Sequence, residues 1–161
     1  MTRLRALSVI ALLALAGCGF HLQGRMRLPE SIRRVHVEAQ DEQSDFVRAL
    51  RASLIASGAE LVDRPQPTAA TVSVAQDRIT ERVLTVSARN IPTDYELTYE
   101  VEVGVRGAGR ELMAVEALNL SRVYSFDEAK LLAKDREKAI LQEALARDLA
   151  GVVLRRLSTL P

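Results

Sequence analysis

The sequence predicts an α+β fold: a four-stranded mixed sheet covered on one face by two helices, in the order β-α-β-β-β-α. Three observations carry that expectation. Residues 95–105 alternate strictly, with Tyr95, Leu97, Tyr99, Val101, Val103 and Val105 on one side and Glu96, Thr98, Glu100 and Glu102 on the other. Such a period of two belongs to an antiparallel strand with one face in the core and one in water. Near the C-terminus, Leu141, Leu145, Leu149 and Val152 recur at helical spacing. Between the first alternating segment and the later ones lies another helical period, so the chain must cross over before the sheet resumes, and crossovers between parallel strands are right-handed.

Taken in order, residues 34–38 (Arg-Val-His-Val-Glu) alternate and form the first short strand. Asp41 or Ser44 can cap the helix that follows, whose apolar positions are Val47, Leu50 and Leu54, and Gly58 is its C-terminal stop. Pro65 and Pro67 bracket a loop. The second strand runs from Thr71 to about Ser87, with Val72 and Val74 on one face. After the alternating third strand, Gly107-Ala108-Gly109 is a tight hairpin connection. The returning strand covers residues 112–124. Ser125-Phe126-Asp127-Glu128 is a capping box that opens the long second helix, which ends near Leu157.

Ahead of this domain the chain carries an address. Arg3 and Arg5 precede an apolar run, residues 6–16, interrupted only by Ser8. The run is too short to span a bilayer, which needs about 20 apolar residues, and it suits a signal peptide. Leu15-Ala16-Gly17-Cys18 fits a lipobox, in which small residues lie extended in a peptidase groove and the thiol accepts a diacylglyceryl group. Residues 1–17 are therefore read as a lipoprotein signal peptide, residues 18–30 as a lipidated tether and residues 31–161 as one domain. Cys18 is the only cysteine, and an unpaired thiol suits an exported protein poorly unless it is modified. Gly19, not Asp, follows it. The inner-membrane retention signal is thus missing, and the expected location is the periplasmic side of the outer membrane, held there by acyl chains.

Removing the first 17 of 161 residues lowers the basic count from 22 to 20 against 21 acidic residues. A domain so balanced lacks the basic surplus of a nucleic-acid binder. His21 and His36 have no partners at metal-ligand spacing. There is no glycine-rich phosphate loop and no nucleophile elbow. Neither an enzyme, a metal site nor a cofactor is expected.

What remains is charge with a geometry. Lys130, Lys134 and Lys138 stand at i, i+4 and i+8 on the long helix and share a face. In a meander, the turn of residues 87–92 lies at the end where the last strand exits, which brings Arg89 toward Arg122, Lys130 and Lys134. Two readings are open at this point. One is a solvated surface with local pairs such as Asp127–Lys130 and Lys134–Glu137; the other is a basic end that meets phosphate or sugar-acid groups.

The chain resembles the LptE family of lipopolysaccharide-assembly lipoproteins. The resemblance rests on Cys18-Gly19-Phe20-His21-Leu22, on residues 58–63 (Gly-Ala-Glu-Leu-Val-Asp), on Arg89-Asn90 with Tyr95, on residues 132–137 (Leu-Ala-Lys-Asp-Arg-Glu) and on Leu154-Arg155-Arg156-Leu157. It departs in having Phe20 where Trp is common and in stopping at Pro161 without the polar tail of some members. The resemblance implies a non-enzymatic partner of LptD, a large outer-membrane β-barrel whose lumen such lipoproteins plug. It also implies lipopolysaccharide binding through basic residues, matched here by Arg89 and Lys134. The alternative is a scaffold lipoprotein of another outer-membrane machine, without glycolipid affinity.

Overall fold

The computed structural model describes residues 27–125 and 131–161, the side chains of residues 131–134 excepted. A 3₁₀ turn (Glu30–Ile32) leads into β1 (Arg34–Ala39), α1 (Asp45–Ala56), β2 (Glu60–Leu61), β3 (Ala70–Val86), β4 (Pro92–Gly107), β5 (Arg110–Ser125) and α2 (Leu131–Leu157). The strands form one sheet in the order β2-β1-β3-β4-β5. β1 is parallel to both β2 and β3, while β3, β4 and β5 form an antiparallel meander.

The α+β class and the meander are as expected, but the sheet has five strands, not four. The extra strand, β2, is only two residues long and has no periodicity to read. It exists because α1 ends in a tight reversal: Gly58 adopts φ +89, Ala59 N–H donates to Leu54 O at 3.0 Å and Gly58 N–H to Ile55 O at 2.9 Å. That pattern is a Schellman cap. The chain leaves it alongside β1, where Glu60 N–H donates to Arg33 O at 2.8 Å and Val62 N–H to Val35 O at 2.9 Å. His36 Nδ1 lies 3.0 Å from Val62 O. Since a carbonyl only accepts, Nδ1 carries the proton, and the histidine holds down the edge strand.

Of the two candidate caps for α1, Ser44 serves: its Oγ accepts from Val47 N–H at 3.1 Å. Asp41 instead closes the preceding turn by accepting from Gln43 N–H at 2.9 Å. The capping box assigned to the long helix lies mostly in residues 126–130, outside the described residues. Ser125 itself ends β5 and donates to Asp94 Oδ1 at 2.7 Å.

Both helices pack on the same face of the sheet. Phe46, Val47, Leu50 and Leu54 of α1, together with Leu145, Leu149, Val153 and Leu157 of α2, meet Val35, Val72, Leu97, Tyr99, Val101, Val103 and Val105 from the strands. The α2 stripe departs from expectation at one position: Val153 is fully buried, while Val152 is half-buried. Leu145, Leu149, Val153 and Leu157 follow an i, i+4 row, which stays on one face. No polar or charged residue is buried among the described residues. The partly buried network beside the core is closed by hydrogen bonds. Ser44 Oγ donates to Asp77, and the Tyr99 hydroxyl accepts from Phe46 N–H at 3.2 Å. Burial first, then a hydrogen bond to Asp77, raises the Tyr99 pKa well above the usual phenol value. Phe46 N–H belongs to the first turn of α1, where backbone donors lack intrahelical partners.

Candidate functional site

The turn between β3 and β4 is closed on itself. Ser87 N–H donates to Ile91 O at 2.8 Å, Asn90 N–H to Ser87 O at 2.9 Å, and Ile91 N–H to Ser87 Oγ at 3.2 Å. Asn90 takes the left-handed conformation, φ +60, which asparagine tolerates better than most residues. Arg89 stands exposed in this turn. Its guanidinium has no hydrogen-bond or ion-pair partner among the described residues.

The ladders align this turn with the end of β5. Val86 pairs with Pro92, and Asp94 pairs with Ser125, the last residue before the chain leaves for α2. Around that junction, Asp94 accepts from Thr85 Oγ1 and from Ser125 Oγ. These hydroxyls, Thr85 foremost, hold the Asp94 carboxyl below its ordinary pKa. Tyr95 and Tyr124 stack with centroids 5.5 Å apart and planes inclined by 18°. The Tyr124 hydroxyl donates to Glu81 Oε1 at 2.8 Å, and Lys138 Nζ donates to the other oxygen of Glu81. Burial, reinforced by Glu81, raises the Tyr124 pKa and keeps it a proton donor.

Arg122 behaves differently from Arg89. It lies opposite Leu97, on the helix face, and its Nη2 donates to Asp148 Oδ2 of α2 at 2.6 Å. Lys138, the third member of the lysine row, is committed to Glu81 across the sheet–helix boundary. Lys134 falls in the first turns of α2, its side chain outside the description, and Lys130 and Cys18 lie outside the described residues. Arg89 is therefore the described candidate that remains available to a ligand. Its planar fork suits bidentate contact with phosphate or carboxylate.

The carboxylates of the alternating strand are part of the opposite, helix-free face. Glu96 receives Arg82 at 2.5 Å and Glu100 receives Arg78 at 3.1 Å, as cross-strand pairs. These partners, and the Glu81–Lys138 and Arg122–Asp148 pairs, join residues on separate elements, and no spacing in the chain announces them. Among the described residues, no group of three or more His, Cys, Asp and Glu side chains is arranged to hold a metal ion. No described helix is long and apolar enough to cross a membrane.

Comparison with known proteins adds a family. Residues 32–157 match the profile of LptE, described as lipopolysaccharide-assembly. The chain is 25% identical over 152 residues to the LPS-assembly lipoprotein LptE of Yersinia enterocolitica, covering 92% of this chain and 72% of that protein. It is 24% identical over 155 residues to the protein of that name from Pectobacterium atrosepticum, covering 94% and 82%. Among solved structures, a lipoprotein B from Nitrosomonas europaea superposes with a TM-score of 0.71 at 25% identity, covering 87% of this chain and 90% of that one. A minor lipoprotein from Acinetobacter baumannii gives 0.69 at 21% identity, covering 83% and 97%.

Proposed function

This chain belongs to the LptE family of lipopolysaccharide-assembly proteins, and from that premise we propose that it is a lipoprotein, anchored through Cys18 to the periplasmic side of the outer membrane, that plugs and helps assemble the LptD β-barrel. In this reading it binds lipopolysaccharide at its basic end during delivery to the outer leaflet. Arg89 and Lys134 make the principal contacts, flanked by Lys130 and Arg122. The role is physical: the folded domain occupies the barrel and offers cations to the phosphates of the glycolipid.

The observation that supports it best is the state of Arg89. The turn's backbone is already ordered by its own hydrogen bonds, so only the exposed Arg89 side chain has to be fixed when it meets an anion. Arg122 contributes less, because Asp148 already neutralises it.

The test is charge reversal in the full chain. Arg89→Glu with Lys134→Glu should weaken binding of purified lipopolysaccharide by roughly tenfold or more, since a charge-assisted hydrogen bond contributes about 1.5–3 kcal/mol. Co-purification of the barrel with tagged protein from solubilised outer membranes should persist. Unchanged glycolipid binding would return both residues to a solvated surface; capture of a different barrel by the unmutated protein would overturn the partnership.

A further inference from the structure

Beyond the core, β3 is a polar strand whose cations are paired with β4. Residues 76–82 read Gln-Asp-Arg-Ile-Thr-Glu-Arg, with Arg78 on Glu100 and Arg82 on Glu96. The last residues before the turn change character: 83–86 read Val-Leu-Thr-Val. Thr85 is secured by Thr93 and Asp94, but Val83, Leu84 and Val86 are 48%, 40% and 51% exposed. Single exposed valines are ordinary; three apolar residues within four form a patch, and a patch rimmed by polar groups marks a binding surface.

The ladder is irregular at the same place. Its register shifts between Val83 and Thr85 and again between Thr85 and Val86, which leaves Leu84 without a partner on β4. Bulges of this kind re-aim side chains. Val86 pairs with Pro92, and half-buried Ile91 closes the turn through its bonds to Ser87. Exposed Arg89 therefore stands three residues beyond Val86 on a turn whose hydrogen bonds fix that separation. From Val86 back to Val83 the strand runs about 10 Å. One hairpin tip thus joins a guanidinium, without a partner among the described residues, to an apolar strip on the strand behind it.

We infer that this tip is a two-part site for an anionic amphiphile: Arg89 takes a phosphate of the glycolipid, and Val83, Leu84 and Val86 take one of its acyl chains. The inference rests on the glycolipid reading of Arg89 proposed above and extends it from head to chain. Charge complementarity commits the strip to this occupant, because a chain whose phosphate sits on Arg89 leads back along Val86 and Leu84. Arg89 alone would accept any exposed phosphate. The strip adds selectivity, since each methylene removed from water strengthens binding about threefold to fourfold.

Two experiments on the full chain test this. In detergent, the unmutated protein should bind purified lipopolysaccharide about tenfold or more tighter than the same glycolipid stripped of its acyl chains, which keeps the phosphates. Val83→Thr, Leu84→Thr and Val86→Thr together keep strand propensity. They should remove most of that preference and leave binding of the stripped form unchanged, whereas Arg89→Glu should weaken both forms. Equal binding of the two forms by the unmutated chain, or an intact preference in the triple variant, overturns the acyl surface and leaves Arg89 its phosphate. Binding of neither form overturns the glycolipid reading itself, and this inference with it. The second experiment does not depend on a loss of binding. Benzoylphenylalanine in place of Leu84, photoactivated in cells, should cross-link to lipopolysaccharide, with the link mapped to an acyl chain by mass spectrometry. The same group in place of Ala117, exposed on β5, should not. Cross-linking of position 84 to protein alone would make the patch a protein contact and overturn the inference.

Discussion

At the hairpin end of the meander, Val72, Val103 and Val105 are sealed beneath the helices; at the opposite end Val83, paired with Tyr95 on that same face, is 48% exposed. The residue type and the alternating backbone are the same, so the difference comes from the covering layer. β3 is 17 residues long, about 56 Å at strand rise, while α1 has 12 residues and spans about 18 Å. Among the described α2 side chains, the fully buried ones begin at Leu145, with Leu141 half-buried and Ile140 63% exposed. Strand alternation decides which face a side chain takes; a second layer decides whether that face is dry. One end of the molecule is thus a packed domain, while the other is a polar, paired sheet extension that carries Arg89.

The contrast is broken most forcefully by truncating apolar residues at each end. Leu149→Ala should cost about 2–5 kcal/mol in urea unfolding, as buried leucines do, while Val83→Ala should stay within about 0.5 kcal/mol. Equal losses would mean that the far end is covered as well. The next effect concerns hydroxyls. Tyr99→Phe strands the buried Phe46 N–H, while Asp77 keeps Ser44, and should cost about 1–3 kcal/mol, the penalty for an unpaired buried donor. Tyr124→Phe, whose partner Glu81 also holds Lys138, should cost less than Tyr99→Phe in the same measurement. The smallest effect is at Asp94. Its carboxyl should titrate below its ordinary value in carbon-detected NMR, and Ser125→Ala should move it upward. Because the folded-state pKa is depressed, its contribution to stability is present above the ordinary value and lost as pH falls through the depressed one.

The local rules wrote much of this molecule into its sequence. The alternation of residues 95–105 names the buried face of β4, the cap of α1 is narrowed to Asp41 or Ser44, of which Ser44 serves, and Gly58 takes the positive φ that a helix stop demands. The hairpin at Ala108 and Gly109, φ +50 and +75, is likewise visible in its residues. The turn carrying Arg89 could be set beside the exit of β5, because antiparallel neighbours share their ends.

Tertiary structure alone decided the rest. β2 arises where a helix cap happens to redirect two residues alongside β1. Lys138 leaves the row of shared lysines because Glu81, 57 residues earlier, lies across from it, and Arg122 is neutralised by Asp148, 26 residues later. Periodicity reports on neighbours within a few residues of one another, through the geometry of a single helix or strand. Which charges stay free depends on how those elements are laid together, and that distance is not written in any local pattern.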